Sequence, residues 1–150
     1  MEKLNLPAYP VKLKKAEGKT WIFDDWRKKF LVLTPEEWVR QHFIHFLVNQ
    51  HGYPSSLIAV ESGLKVASRL KRTDAVVFNK QGKPVLIIEC KAPEIKITEQ
   101  VFDQIVRYNM SLQVKFLVVT NGMQHYCCLL NYNDNSWTFL NDIPPYDVLT

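Results

Sequence analysis

Asp74, Glu89 and Lys91 are the residues whose types and spacing can hold a hydrated metal ion beside a charged ammonium group. Asp74 opens the apolar run Ala75-Val76-Val77-Phe78. Glu89 and Lys91 close the run Val85-Leu86-Ile87-Ile88-Glu89-Cys90-Lys91. Both runs have strand length, and Asn79-Lys80-Gln81-Gly82-Lys83-Pro84 between them is rich in turn residues, so the pair predicts a β-hairpin. A loop centred between Gln81 and Gly82 pairs Ala75 with Ile88 and therefore Asp74 with Glu89. Directly opposed side chains share a sheet face, with Cβ atoms roughly 4.5–5.5 Å apart. Lys91, two residues beyond Glu89, points to the same face by the period of the strand. A loop one residue longer or shorter would put the two carboxylates on opposite faces.

Two carboxylates that close repel each other unless one protonates or a cation lies between them. An oxygen-rich pocket with few protein ligands suits Mg²⁺, which keeps several waters and takes further oxygens from phosphate. Asp74, Glu89 and the backbone carbonyl of Cys90 are the candidate ligands, with Mn²⁺ as a substitute ion. Lys91 is placed to orient or help deprotonate a metal-bound water, or to offset charge building on a phosphate. The bland alternative for the same residues is a solvated charge cluster with Lys91 and Arg72 nearby.

The elements around the hairpin must position these groups. Thr34-Pro35-Glu36-Glu37 opens a helix that runs to about Asn49: Thr34 suits the N-cap, Pro35 the first turn, and Glu37 completes a capping box. Val39, Phe43, Phe46, Leu47 and Val48 form its core-facing stripe. Glu36 and Glu37 are explained by the helix dipole alone. His42, His45 and His51 lack matched acids at useful spacing and read as surface or packing residues. Residues 57–67 predict one strand with a bulge near Gly63, and Arg69, Lys71 and Arg72 lead from it into the Asp74 strand. Such a basic cluster either grips a nucleic-acid phosphate or is a solvated loop.

Beyond Lys91, Ala92-Pro93 ends the strand, and Thr98 caps a helix from Glu99 to about Met110 with Val101, Ile105, Tyr108 and Leu112 on one stripe. The apolar run 114–120 reads as a buried strand, so strand, helix and strand predict a right-handed crossover and a parallel pair. Asn121-Gly122 is a turn, and residues 124–130 and 137–140 are further strands. Gln104 and Tyr108, four apart, share a helix face. There they serve either a phosphate or Lys91, or else Tyr108 is core and Gln104 covers its edge.

With 150 residues, 47% hydrophobic and 23% charged, the chain is long enough for one domain with a real core. Residues 1–20, with Pro7, Pro10 and several lysines, read as a polar arm, and 21–150 as a single domain. No apolar run has the length to span a bilayer, and the N-terminus is no signal peptide, so no membrane partner is expected. Cys90, Cys127 and Cys128 form neither a metal spacing nor a disulfide framework, which points to the cytoplasm. The formal charge of +4 permits a polyanionic partner.

An Asp followed one hairpin later by Glu-x-Lys resembles the PD-(D/E)XK nuclease superfamily, with Thr73 where the superfamily pattern has Pro. The wider set is more specific: Thr34-Pro-Glu-Glu-Trp-Val-Arg-Gln41, Arg72-Thr-Asp74, Glu89-Cys-Lys-Ala-Pro93, Gln104 with Tyr108-Asn109, and Thr120-Asn-Gly122. Together these resemble the N-terminal nuclease domain of type I restriction enzyme R subunits, in its small stand-alone form. The resemblance implies an α/β (α+β) restriction-endonuclease-like fold, with a mixed sheet flanked by helices in the order α-β-β-β-α-β plus C-terminal strands. It implies Mg²⁺-dependent DNA cleavage with Asp74 and Glu89 as metal ligands, Lys91 as catalytic base or electrostatic aid, and Gln104 with Tyr108 as support. An acid of the first helix joins the metal site in many members of the superfamily; of the two here, Glu37 is preferred. A type I R subunit continues into an ATP-driven motor, but the chain has no phosphate-cradling Gly-rich loop or Walker lysine, so no ATP site is expected. Restriction-system subunits or a second copy are then the expected partners beside DNA. The alternatives are a catalytically weak nucleic-acid-binding module and a protein-interaction module of the same fold.

Overall fold

The computed structural model describes residues 1–61, 63–66 and 69–149, and the side chains outside 62–71. The first element is a hairpin that the sequence reading had placed largely in a polar arm. Strand β1 (Leu13–Ala16) pairs with β2 (Lys19–Asp24) through Glu17 and Gly18, both at positive φ, and β2 pairs in turn with β3 (Lys29–Val32). Positive φ at both loop residues matches the twist of a tight hairpin. None of the β1 side chains is buried, so no hydrophobic alternation marks it. Instead Lys14, and Lys12 just before the strand, lie over rings of the little sheet: Lys14 Nζ is 4.3 Å from the Phe30 ring centre, and Lys12 Nζ is 5.5 Å from that of Phe23. The arm is tied down further back as well. Leu4 is buried and Asn5 N donates to the Gly122 carbonyl at 2.9 Å.

Helix α1 (Pro35–His51) starts where the cap chemistry predicts, and Gly52, at φ 71°, closes it in the left-handed conformation. A short 3-10 turn (Ser55–Leu57) leads into β4 (Ile58–Val60). The single strand expected over residues 57–67 is not formed. After β4 the chain turns at Glu61, at φ 51°, and a separate ribbon follows, β5 (Gly63–Val66) paired with β6 (Arg69–Arg72). The basic stretch is thus strand backbone rather than loop; the side chains of Arg69 and Lys71 lie outside the described residues.

The central hairpin is β7 (Ala75–Phe78) with β8 (Pro84–Cys90). Asn79 builds its turn, with Oδ1 accepting from Gln81 N and Lys83 N at 3.0 and 2.9 Å, while Gly82 supplies φ 81°. The register is Ala75↔Ile88, Val76↔Ile87 and Val77↔Leu86, with one irregularity next to the turn at Phe78↔Pro84. It is the register expected from the sequence. Helix α2 (Glu99–Met110) then crosses to β9 (Phe116–Thr120), which runs parallel to β8, and β10 (His125–Asn131) and β11 (Ser136–Leu140) complete a mixed sheet. Its order is β11-β10-β9-β8-β7-β4, and a last turn of helix, α3 (Tyr146–Leu149), ends the described chain.

Strand alternation sends the two faces of this sheet to two cores. Leu86, Ile88, Cys90, Val118 and Cys127 pack with Val39, Phe43 and Leu47 of α1, whereas Ile87, Leu117, Val119 and Cys128 pack with Phe102, Ile105 and Val106 of α2. The buried stripe of α2 is Phe102, Ile105, Val106 and Asn109, not the one through Tyr108. A polar residue at the fourth stripe position hid the correct phase. Tyr108 is 44% exposed, so it is not core. Among the described residues no helix is long and apolar enough to cross a membrane.

Asp24, fully buried at the end of β2, fixes the turn into β3. Its carboxylate accepts from Trp26 N at 2.8 Å, from Arg27 N at 3.2 Å and from the Arg27 side chain. Burial alone would raise its pKa, but the Arg27 guanidinium and the two backbone donors outweigh it and hold the carboxyl below its ordinary value of 3.8. A depressed folded pKa contributes stability above the unfolded pKa, lost as pH falls through the folded one. Asp24→Asn should therefore cost roughly 2 kcal/mol at pH 7 by urea unfolding. The gap between the two proteins should close as the pH is taken below 3.8.

Candidate active site

Asp74 stands one residue before β7 and, by the register, opposite Glu89 near the end of β8. By strand alternation Glu89 shares the parity of Ile87 and hence the face that α2 covers, and Lys91 follows two residues on, just past the end of β8. The ladder does not hold Asp74; its own carboxylate does. Oδ2 accepts the backbone N–H of Cys90 at 2.7 Å, and Oδ1 accepts from Arg40 Nη2 at 3.1 Å. The Asp74 carbonyl receives Glu61 N at 2.8 Å, which fixes the root of the β5–β6 ribbon. Lys91 N, in turn, donates to the Thr120 carbonyl at 2.8 Å, so the strand segment carrying Glu89 and Lys91 is anchored on β9.

Glu89 lies in an unfavourable place for a charge. Its Oε1 is buried without a hydrogen-bond partner. Burial first, and the charge of Asp74 second, raise its pKa to about 8, against the opposing influence of Asn109 and Lys91. Without a cation the pair therefore keeps a proton at neutral pH. Glu61, Arg72, Thr73, Asp74 and Glu89 line a cleft of about 110 Å³. A larger groove of about 290 Å³ lies between Phe102 and Phe139, lined mainly by apolar and aromatic side chains and by none of Asp74, Glu89 or Lys91.

The structure divides the two acids of α1. Glu37 is 7% exposed and both its oxygens are engaged. Oε1 accepts from Arg40 Nη1 at 2.6 Å and Arg27 Nη2 at 3.0 Å, and Oε2 from Gln41 Nε2 at 2.9 Å and Arg27 Nη2 at 3.1 Å. Its side chain neither closes a capping box nor is free to join Asp74 as the expected ligand, because two arginines hold it in the core. Glu36, half-exposed, is the acid that senses the pair. Partial burial and then the Asp74 charge raise its pKa, while Arg40 and Lys91 lower it.

Tyr108 and Gln104 occupy the exposed face of α2, and the Tyr108 hydroxyl donates to the Arg72 carbonyl at 3.3 Å, two residues before Asp74. Tyr108 is thus brought to the rim of the site together with exposed Arg72, whereas among the described residues no hydrogen bond links Gln104 to the carboxylates. Two residues beside the pair, Arg40 and Asn109, fall inside the motifs named above but carry no role of their own in the sequence reading. Arg40 stands only three residues after Glu37 in an amphipathic helix, and Asn109 occupies a core stripe position.

Among the described residues no group of three His, Cys, Asp or Glu side chains could hold a metal ion by itself. Two opposed carboxylates, one with an orphaned buried oxygen, instead match a hard cation that keeps water and borrows oxygens from its substrate. Residues 35–144 match the family model of the type I restriction enzyme R protein N terminus. The chain belongs to that family. Its fold is also that of a solved fragment of a protein assigned as an HsdR subunit of a type I restriction enzyme from Vibrio vulnificus YJ016, at TM-score 0.54 and 19% identity over 78% of the chain. The chain spans only 24% of the length of that structure. No curated protein matches it.

The contrast between the acids of this R-protein N-terminal domain is open to test. Glu37→Gln leaves buried Arg40 and half-buried Arg27 short of a counter-charge and should cost about 3 kcal/mol in urea unfolding. Glu36→Gln, on an exposed helix start, should stay within about 0.5 kcal/mol of wild type.

Proposed function

We propose that the chain is a metal-dependent nuclease acting on DNA, as the N-terminal domain of a restriction-system R protein. The observation that supports it best is the hairpin register, whose last pair Ala75↔Ile88, continued by one residue, brings Asp74 beside Glu89 with Lys91 two residues on. A raised Glu89 pKa supports it further, since perturbed acid pairs concentrate where chemistry is done. Asp74, Glu89 and the Cys90 carbonyl would hold Mg²⁺, or Mn²⁺ in its place. Bound there, the ion supplies Lewis-acid polarisation of the scissile phosphate and a water of lowered pKa. Lys91 orients that water and offsets charge at the phosphate oxygens. Arg72, with Tyr108 on its carbonyl, and Gln104 grip the DNA backbone at the rim, which positions the strand without reading its sequence. Glu36, rather than Glu37, is the α1 acid with a side chain open to the site.

Targeting falls to other restriction-system subunits, and cutting both strands to a second copy. The three buried free cysteines suit a reducing compartment, the cytoplasm. Incubation of supercoiled plasmid with the protein and Mg²⁺ or Mn²⁺ should give nicked and linear forms, abolished by a chelator. Lys91→Ala should lower cleavage by at least about a hundredfold while binding of Mn²⁺, measured by calorimetry, stays within about threefold of wild type. Full cleavage by Lys91→Ala would remove Lys91 from its role, and metal binding without any cleavage would favour a catalytically weak binding module.

A further inference from the structure

Arg40 is the one described cation within hydrogen-bond reach of the Asp74 carboxylate. It is 4% exposed, and its fork reaches two ways: Nη2 to Asp74 Oδ1 at 3.1 Å and Nη1 to Glu37 Oε1 at 2.6 Å, with Glu61 Oε1 at 3.4 Å. Glu37 is itself fixed by Arg27, and Arg27 by Asp24 in the β2–β3 turn. Glu61 closes the set, since Arg27 Nη1 donates to its Oε2 at 2.6 Å. A chain of ion pairs thus runs from the N-terminal sheet through α1 to one oxygen of the carboxylate beside Glu89. The other oxygen is held by Cys90 N.

A carboxylate gripped on both oxygens has little rotational freedom, and a planar fork fixes direction where an ammonium fixes only distance. Groups that orient a metal ligand without touching the metal are worth about 10–100-fold in affinity when removed. We propose that Arg40, held by Glu37, is the positioning residue for Asp74: it aims the carboxylate at the metal position and carries the counter-charge of the acid pair until an ion arrives. The inference rests on the proposed metal site.

The test separates the two. Mn²⁺ binding is measured by calorimetry on the full chain for wild type, Asp74→Ala, Arg40→Lys and the charge-conserving pair Glu37→Gln/Arg40→Gln, with the fold of each checked by thermal unfolding. The expected result is Asp74-dependent binding in wild type, about tenfold weaker in the double variant and severalfold weaker in Arg40→Lys, which keeps the charge but loses the fork. Should the double variant not fold, Arg40→Lys alone decides. Binding at wild-type affinity in the folded Arg40 variants, with Asp74→Ala still defective, would overturn the role of Arg40 and leave the metal site standing. No Asp74-dependent binding in wild type would overturn both.

Discussion

Asp74 and Glu89 face each other across a hairpin, and most of what surrounds them makes that opposition tolerable. Two full negative charges at roughly 5 Å cost about 3 kcal/mol even at an effective dielectric constant near 20. The free protein meets this cost in two ways. Glu89 takes a proton, because burial and the neighbouring charge push its pKa up, and Asp74 is compensated by Arg40 and the Cys90 amide. Neither is complete, since Glu89 Oε1 still lacks a partner. A divalent ion would resolve both at once.

The compensation ties distant parts of the chain to one atom. Arg27 comes from the turn between β2 and β3, Glu37 and Arg40 from the first turns of α1, and Glu61 from the joint between β4 and the β5–β6 ribbon. Burying such a network gives little net stability, because desolvating each ion offsets most of the attraction. What it confers is geometry, since each partner has one arrangement in which all the charges are satisfied. The small N-terminal sheet thereby belongs to the site, although none of its residues touches the carboxylate pair.

Local rules carried the reading as far as local chemistry reaches. Asn79 and Gly82 determine the turn and the turn determines the register, Ala75 opposite Ile88, so that part was legible. Thr34 and Thr98 announced their helices in the same way. What escaped depends on long-range or polar burial. β1 buries no side chain and so has no periodicity to read, and Asn109 sits in a core stripe where an apolar residue is expected. The choice between Glu36 and Glu37 turned on Arg27, a residue ten positions upstream that no helix pattern connects to α1.

The most direct measurement is a crystal structure with a short DNA duplex and Mn²⁺, read in the anomalous difference map at the manganese edge. The account predicts a peak in contact with the carboxylates of both Asp74 and Glu89, facing the DNA phosphate. A manganese ion bound elsewhere, or DNA seated with the two carboxylates still sharing a proton and no ion between them, would contradict it.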